Sequence, residues 1–214
     1  MTQGKLIAFE GGEGSGKSTQ ARKLAERLAA EGIEVVITRE PGGTPGAEAI
    51  RTLLLDPPPG AGWGAKAEAL LFAAARADHV ARFIRPALQA GRWVVCDRFI
   101  DSSRAYQGVA GALGDDVIRQ LHAFGSDGLL PDLTILLDVD DGVSASRLQQ
   151  RDGDRSDAIG GRGRAYHDAV NQAFRDFAIA EAPRFALVPG GGTVEDVQAR
   201  VWDAVTSLLS ANGS

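Results

Sequence analysis

A single cysteine, Cys96, stands in a chain of 214 residues, with no cysteine or histidine at metal-ligand spacing from it. An internal disulfide is impossible, and the side chain reads as a small buried apolar group. Positive charge is not in excess either: 23 Lys and Arg face 28 Asp and Glu, a formal net charge of -5. That removes any general attraction for nucleic acid or an anionic membrane, so an anion would have to be held by a local set of cations and backbone amides. A small phosphate ligand fits that condition. No stretch approaches the roughly 20 apolar residues of a membrane span. Met1 to Phe9 has neither a basic leader nor a long apolar run, and the sequence therefore predicts a cytoplasmic protein with no membrane or nucleic-acid partner. Internal repeats and Pro/Gly/Ser-rich linkers are absent too. With 44% hydrophobic residues, residues 1–214 are expected to form a single domain.

What is present alternates between two periodicities. Leu6 to Phe9, Glu34 to Thr38, Trp93 to Asp97, Leu133 to Asp138 and Phe185 to Val188 read as strands. Lys17 to Ala30, Glu48 to Leu55, the alanine-rich Ala65 to Arg85 and Val194 to Leu209 read as helices. Such alternation predicts an α/β fold of the P-loop NTPase-like kind, a five-stranded parallel sheet with helices on both faces. The ligand belongs at the C-terminal ends of the strands. Pro57 to Gly64 reads as a surface excursion, and Arg151 to Arg164 as a flexible basic lid over the sheet.

Gly11-Gly12-Glu13-Gly14-Ser15-Gly16-Lys17-Ser18, followed by Thr19, matches G-x-x-x-x-G-K-[ST] after a strand and before a helix. Glycines allow backbone amides to turn around phosphate oxygens, and the helix N-terminus adds partial positive charge. Lys17 can reach terminal phosphates, and the Ser18 hydroxyl can ligate Mg2+. The loop predicts ATP phosphates but not the acceptor, since GTPases, ATPases and small-molecule kinases share it.

Asp97-Arg98 closes the third strand, beside that loop. Arg98 can bind a second phosphate; Asp97 can hold Mg2+ through water or orient Arg98, and a strand-end salt bridge would explain the pair as well. Phe72 and Arg76 project from one helix face, as an aromatic platform and a donor for a nucleobase would, although core packing for Phe72 and a solvated Arg76 answer the same spacing. His79, on the same stripe, reads as a half-buried polar side chain. Arg39 precedes the turn Pro41-Gly42-Gly43 and faces the same rim.

Together these blocks closely resemble the thymidylate kinase family: Phe9 to Thr19, Thr38-Arg39-Glu40-Pro41-Gly42-Gly43-Thr44, Leu71 to Arg76, Asp97-Arg98, Ser102 to Gly108 and Pro131 to Thr134, in the family's order. The resemblance implies transfer of the ATP γ-phosphoryl to dTMP with Mg2+, in a homodimer. By position, Glu13 looks like the acidic residue that meets the deoxyribose 3′-hydroxyl, and Arg39 and Arg98 like binders of the monophosphate. Phe72 matches the base-stacking aromatic and Arg76 the arginine to the thymine carbonyl. Ser103 matches the reader of the ring edge, Tyr106 the aromatic beside the sugar, and Gln107 a further pocket position. Gly14 stands where some members carry a catalytic arginine, so the chain resembles the members whose lid supplies it. Arg151 and Arg155 are the candidates, to act with Lys17 and Arg98; Arg162 and Arg164 rank behind them. Phe99, Asp154 to Asp157 and Phe174 depart from the family's usual residues. Adenine contacts are expected near Gly190 to Thr193. The rival readings are a related kinase of another (deoxy)nucleoside or nucleoside monophosphate, and a nucleotide-dependent switch.

Overall fold

The structure, a computed structural model, describes residues 4–57, 59–60, 62–140, 142–144, 146–147 and 157–210. Five strands, β1 (Leu6–Glu10), β2 (Val35–Arg39), β3 (Trp93–Asp97), β4 (Leu133–Asp138) and β5 (Phe185–Pro189), form one sheet in the order β2-β3-β1-β4-β5. Every pairing is parallel. β1 is wholly buried, as a strand covered on both faces must be.

Its alternation assigns each face to a different layer. Ile7 and Phe9 pack with Leu24 and Leu28 of α1 (Lys17–Ala30) and with the C-terminal helix α8 (Val194–Ser210). Leu6 and Ala8 pack on the opposite side with Ile84, Val94 and Ile118. That second layer is a rod of α3 (Ala65–His79), a π-helical turn at Val80–Ile84 and α4 (Arg85–Gln89), together with α6 (Asp115–Ser126). The helix expected over Ala65 to Arg85 is thus real but wider-wound near its end, and runs four residues longer. Cys96 is fully buried in this layer, in the apolar role its isolation suggested.

α2 (Pro45–Leu55) begins three residues before the expected Glu48, because Thr44 caps it through Ala47 N and proline suits the first turn. α5 (Ile100–Ser103) runs directly into a second π-helical stretch, Arg104–Ala110, which packs on α7 (Arg164–Ala180). None of α5, the π stretch or α6 stood out in the sequence. Among the described residues, no helix is long and apolar enough to cross a membrane.

Candidate active site

In this strand order, β1 connects towards β2 on one side and β3 towards β4 on the other, so the chain diverges above neighbouring strands β1 and β3. Their register pairs Phe9 with Asp97, setting the P-loop that follows β1 beside Arg98. A cleft of about 470 Å³ opens there, at the strand C-termini where such sheets bind ligands.

One end of the cleft is the phosphate loop. Gly11 adopts φ +137, and a Cβ there would lie 2.6 Å from the Leu137 carbonyl oxygen, so only glycine fits. Gly16 precedes α1 with no side-chain cap, and the first turn of α1 contains no acidic residue. The helix therefore presents unsatisfied amides and undiminished positive character to an anion. Gly14, Gly16, Lys17, Ser18 and Thr19 line the cleft. Lys17 Nζ donates to the carbonyls of Gly11 (3.1 Å) and Gly12 (2.6 Å) and to Ser15 Oγ (3.2 Å). Burial, then the nearby Arg98, lowers its pKa to about 8. Ser18 Oγ donates to Asp97 Oδ2 at 2.5 Å. A hydroxyl and a carboxylate side by side suit Mg2+, which takes few protein oxygens and fills its shell with phosphates and water. Among the described residues, no three His, Cys, Asp or Glu gather as a larger metal site.

Arg98 spans the middle. Its guanidinium donates to Gly11 O, Ser102 Oγ, Glu13 Oε1 and Tyr106 Oη over 3.0–3.3 Å and lies 5.1 Å above the Tyr106 ring. Arg98 itself sits at φ +66, a left-handed conformation costly for a side chain with a Cβ. Beneath it, fully buried Glu10 accepts from Phe99 N, Ser102 N and Ser102 Oγ. Burial and then the charge of Asp101 push the Glu10 carboxyl up to about 7.

The far end is built from buried donors. Arg76 is only 4% exposed, not solvated: it donates to Glu40 Oε2 (2.7 Å), the Phe99 carbonyl (3.2 Å) and Ser103 Oγ (2.9 Å). Phe72 is half-buried, lining the cleft rather than the core interior. His79 is fully buried instead of half-buried, held between Glu40 Oε1 (3.1 Å) and Thr38 Oγ1 (2.7 Å). A Cβ on Gly43, at φ +88, would meet both His79 Nε2 and Thr38 Oγ1 within 2.5 Å, which explains that glycine. Ser103, Tyr106 and Gln107 also face the cleft. Phe99 and Phe174, two of the departures from the family pattern, are both fully buried. Their rings lie against Arg76 and His122, and against Tyr106, respectively.

Arg39 lines the rim, its guanidinium on the Glu48 carboxylate at 3.0 Å. Four lining residues went unread in the sequence: Arg51, Leu55, Arg147 and Ile159. Arg51 donates to the Pro41 carbonyl, and Arg147 to the Gly190 carbonyl at the margin where adenine contacts were expected. An arginine count near the motifs could have flagged Arg51 and Arg147; Leu55 and Ile159 carried no signal of their own. Arg151 and Arg155 lie outside the described residues. The later part of the expected lid is packed, because Ile159 is buried and Asp157 Oδ1 accepts from Ile159 N and Gly160 N. Arg162 pairs with Glu68 and Tyr166, so it is not a solvated loop charge; Arg164 is exposed beside Asp168.

The family profile for thymidylate kinase matches residues 9–201. The chain is 56% identical to a thymidylate kinase of Rhizorhabdus wittichii over 208 residues, covering 96% of this chain and 99% of that one. It is 46% identical to a thymidylate kinase of Bradyrhizobium sp., covering 97% and 92%. Its fold is similar to the crystal structure of thymidylate kinase from Ehrlichia chaffeensis, with a TM-score of 0.76 at 32% identity over 96% of this chain and 99% of that one.

Proposed function

The chain belongs to the thymidylate kinase family, and from that premise we propose that it transfers the γ-phosphoryl of ATP to dTMP, giving dTDP and ADP, with Mg2+. The observation that carries this reading is the single cleft with a phosphate loop at one end, a buried Arg76–Glu40–Ser103 cluster beside Phe72 at the other, and Arg98 between them.

Lys17 and the amides around Gly11 to Thr19 hold the donor phosphates, and Ser18 and Asp97 hold the metal. The metal supplies charge neutralisation between the phosphates. Arg98, with Arg39 at the rim, holds the acceptor phosphate. Phe72 stacks on the base while Arg76, which has donors only, donates to a ring carbonyl with its guanidinium oriented by Glu40. Ser103 and Gln107 read the ring edge, and Glu13 and Tyr106 border the sugar. Phosphoryl transfer asks mostly for alignment and charge stabilisation, which these groups supply. Arg151 and Arg155, on a lid over about 151–164 of one domain, complete the cation set. The rest of the reading is a cytoplasmic homodimer. Its partner face is the surface of α3 and α6, where Leu70, Val117 and Phe124 are 56%, 44% and 92% exposed.

ADP release coupled to a spectrophotometric readout, run across dTMP, dUMP, UMP, CMP and AMP, tests the assignment. dTMP should give the highest kcat/KM; faster turnover of AMP or CMP would overturn it.

A further inference from the structure

Glu68, in the first turn of α3, is 6% exposed and divides its two oxygens between two parts of the site. Oε1 accepts from Gln107 Nε2 at 2.9 Å, and Oε2 from Arg162. A carboxylate can only accept, so the Gln107 atom facing it must be the NH2 group. The amide oxygen is left on the other side of that group, as an acceptor for the cleft. Arg162 in turn donates to Tyr166 Oη at 2.5 Å, and Tyr166 donates to the backbone carbonyl of Tyr106 at 2.7 Å. One carboxylate thus joins a pocket side chain to the segment 157–162 and to the backbone beside it.

We propose that Glu68 is a positioning residue for base selection, fixing Gln107 with its carbonyl oxygen toward the base and fastening Arg162, and with it the segment 157–162, beside that group. This rests on the dTMP kinase reading. An acceptor from Gln107 suits the ring N–H of thymine and opposes the bare ring nitrogen of cytosine. The donors of Arg76 suit a ring carbonyl and oppose an amino group. A glutamine at 68 could turn a donor toward Gln107 and let that amide reverse.

The test measures kcat and KM for dTMP and dCMP in the wild type, Glu68→Gln, Glu68→Asp and Arg162→Met. In Glu68→Gln the dTMP KM should rise about tenfold and the dTMP-to-dCMP ratio of kcat/KM narrow by about tenfold, with the ATP KM little changed, as loss of one aligned hydrogen bond implies. Glu68→Asp, still acceptor-only, should keep more of the discrimination than Glu68→Gln. Arg162→Met should raise the dTMP KM severalfold, and its side chain is partly exposed, so this arm stands even if the Glu68 variants do not fold. An active wild type with unchanged ratio in Glu68→Gln, Asp no better than Gln, or an unchanged dTMP KM in Arg162→Met overturns the proposal alone. A wild type that ignores dTMP overturns it together with the function.

Discussion

Replacing Arg98 by alanine and by glycine removes the same guanidinium but leaves two different backbones. The side chain makes four polar contacts in the cleft. In the proposed complex it also meets the acceptor phosphate, where charge-assisted hydrogen bonds are worth about 1.5–3 kcal/mol each. Losing one or two of these gives about 3 kcal/mol, or roughly a hundredfold in kcat/KM for dTMP, in both variants. Stability should separate them. Alanine at φ +66 keeps a left-handed strain of about 1–2 kcal/mol that glycine relieves, less about 0.5–1 kcal/mol for the freer unfolded chain. The lost side-chain contacts are common to both variants and cancel. Glycine should therefore be the more stable by about 1 kcal/mol, a Tm difference of about 2–4 °C at this chain length. Thermal melts without ligand, with dTMP titrations in the coupled assay, measure both effects. An alanine variant as stable as the glycine variant would refute the strain argument, and an unchanged KM for dTMP would refute the phosphate contact.

Lys17, with its pKa lowered to about 8, is charged below that pH, so kcat/KM for ATP should fall as pH rises through about 8. The residual activity of Lys17→Arg should lack that alkaline limb in a pH-rate series. Glu10 has a folded pKa raised to about 7 from an ordinary 4.5. Its favourable contribution is complete below about pH 4.5 and lost as pH rises to about 7, so Tm should decline across that window in the wild type and less steeply in Glu10→Gln. Arg104, 2% exposed, bonds Asp101, Asp115 and Glu181. Arg104→Met leaves Asp101 with Arg184 as its one cation, beside the Thr134 hydroxyl, and should cost about 3 kcal/mol by urea denaturation, the low end for a broken buried ion pair.

The strands and the phosphate loop were legible because local signals suffice for them: β-rich apolar runs closed by an acid, and glycines at fixed offsets before a lysine. Arg76 was ambiguous by spacing, because what decides it is Glu40, 36 residues away in the chain and buried with it. Glu10 ends β1 and Glu40 follows the last residue of β2, and both look like ordinary surface termini. Glu10 is buried because the segment after β3 folds back over it and donates Phe99 N and Ser102 N, and Glu40 because Arg76 and His79 of α3 close on it. The two π-helical stretches have no composition of their own. Residues Arg104–Ala110 present Tyr106 and Gln107 through packing on α7 and α6, which no window of sequence contains. The glycines around Ile159 suggested a loose segment, yet one buried isoleucine and the Asp157 cap outweigh them.

In the proposed function one cleft aligns an ATP phosphate with a thymidine monophosphate. Chromatographic identification of products from ATP, Mg2+ and an equimolar mixture of dTMP, dCMP, dAMP and dGMP tests it directly. dTDP should be the dominant diphosphate, formed in step with ADP. Another nucleoside diphosphate in excess, or ADP and inorganic phosphate with no nucleotide phosphorylated, would contradict it.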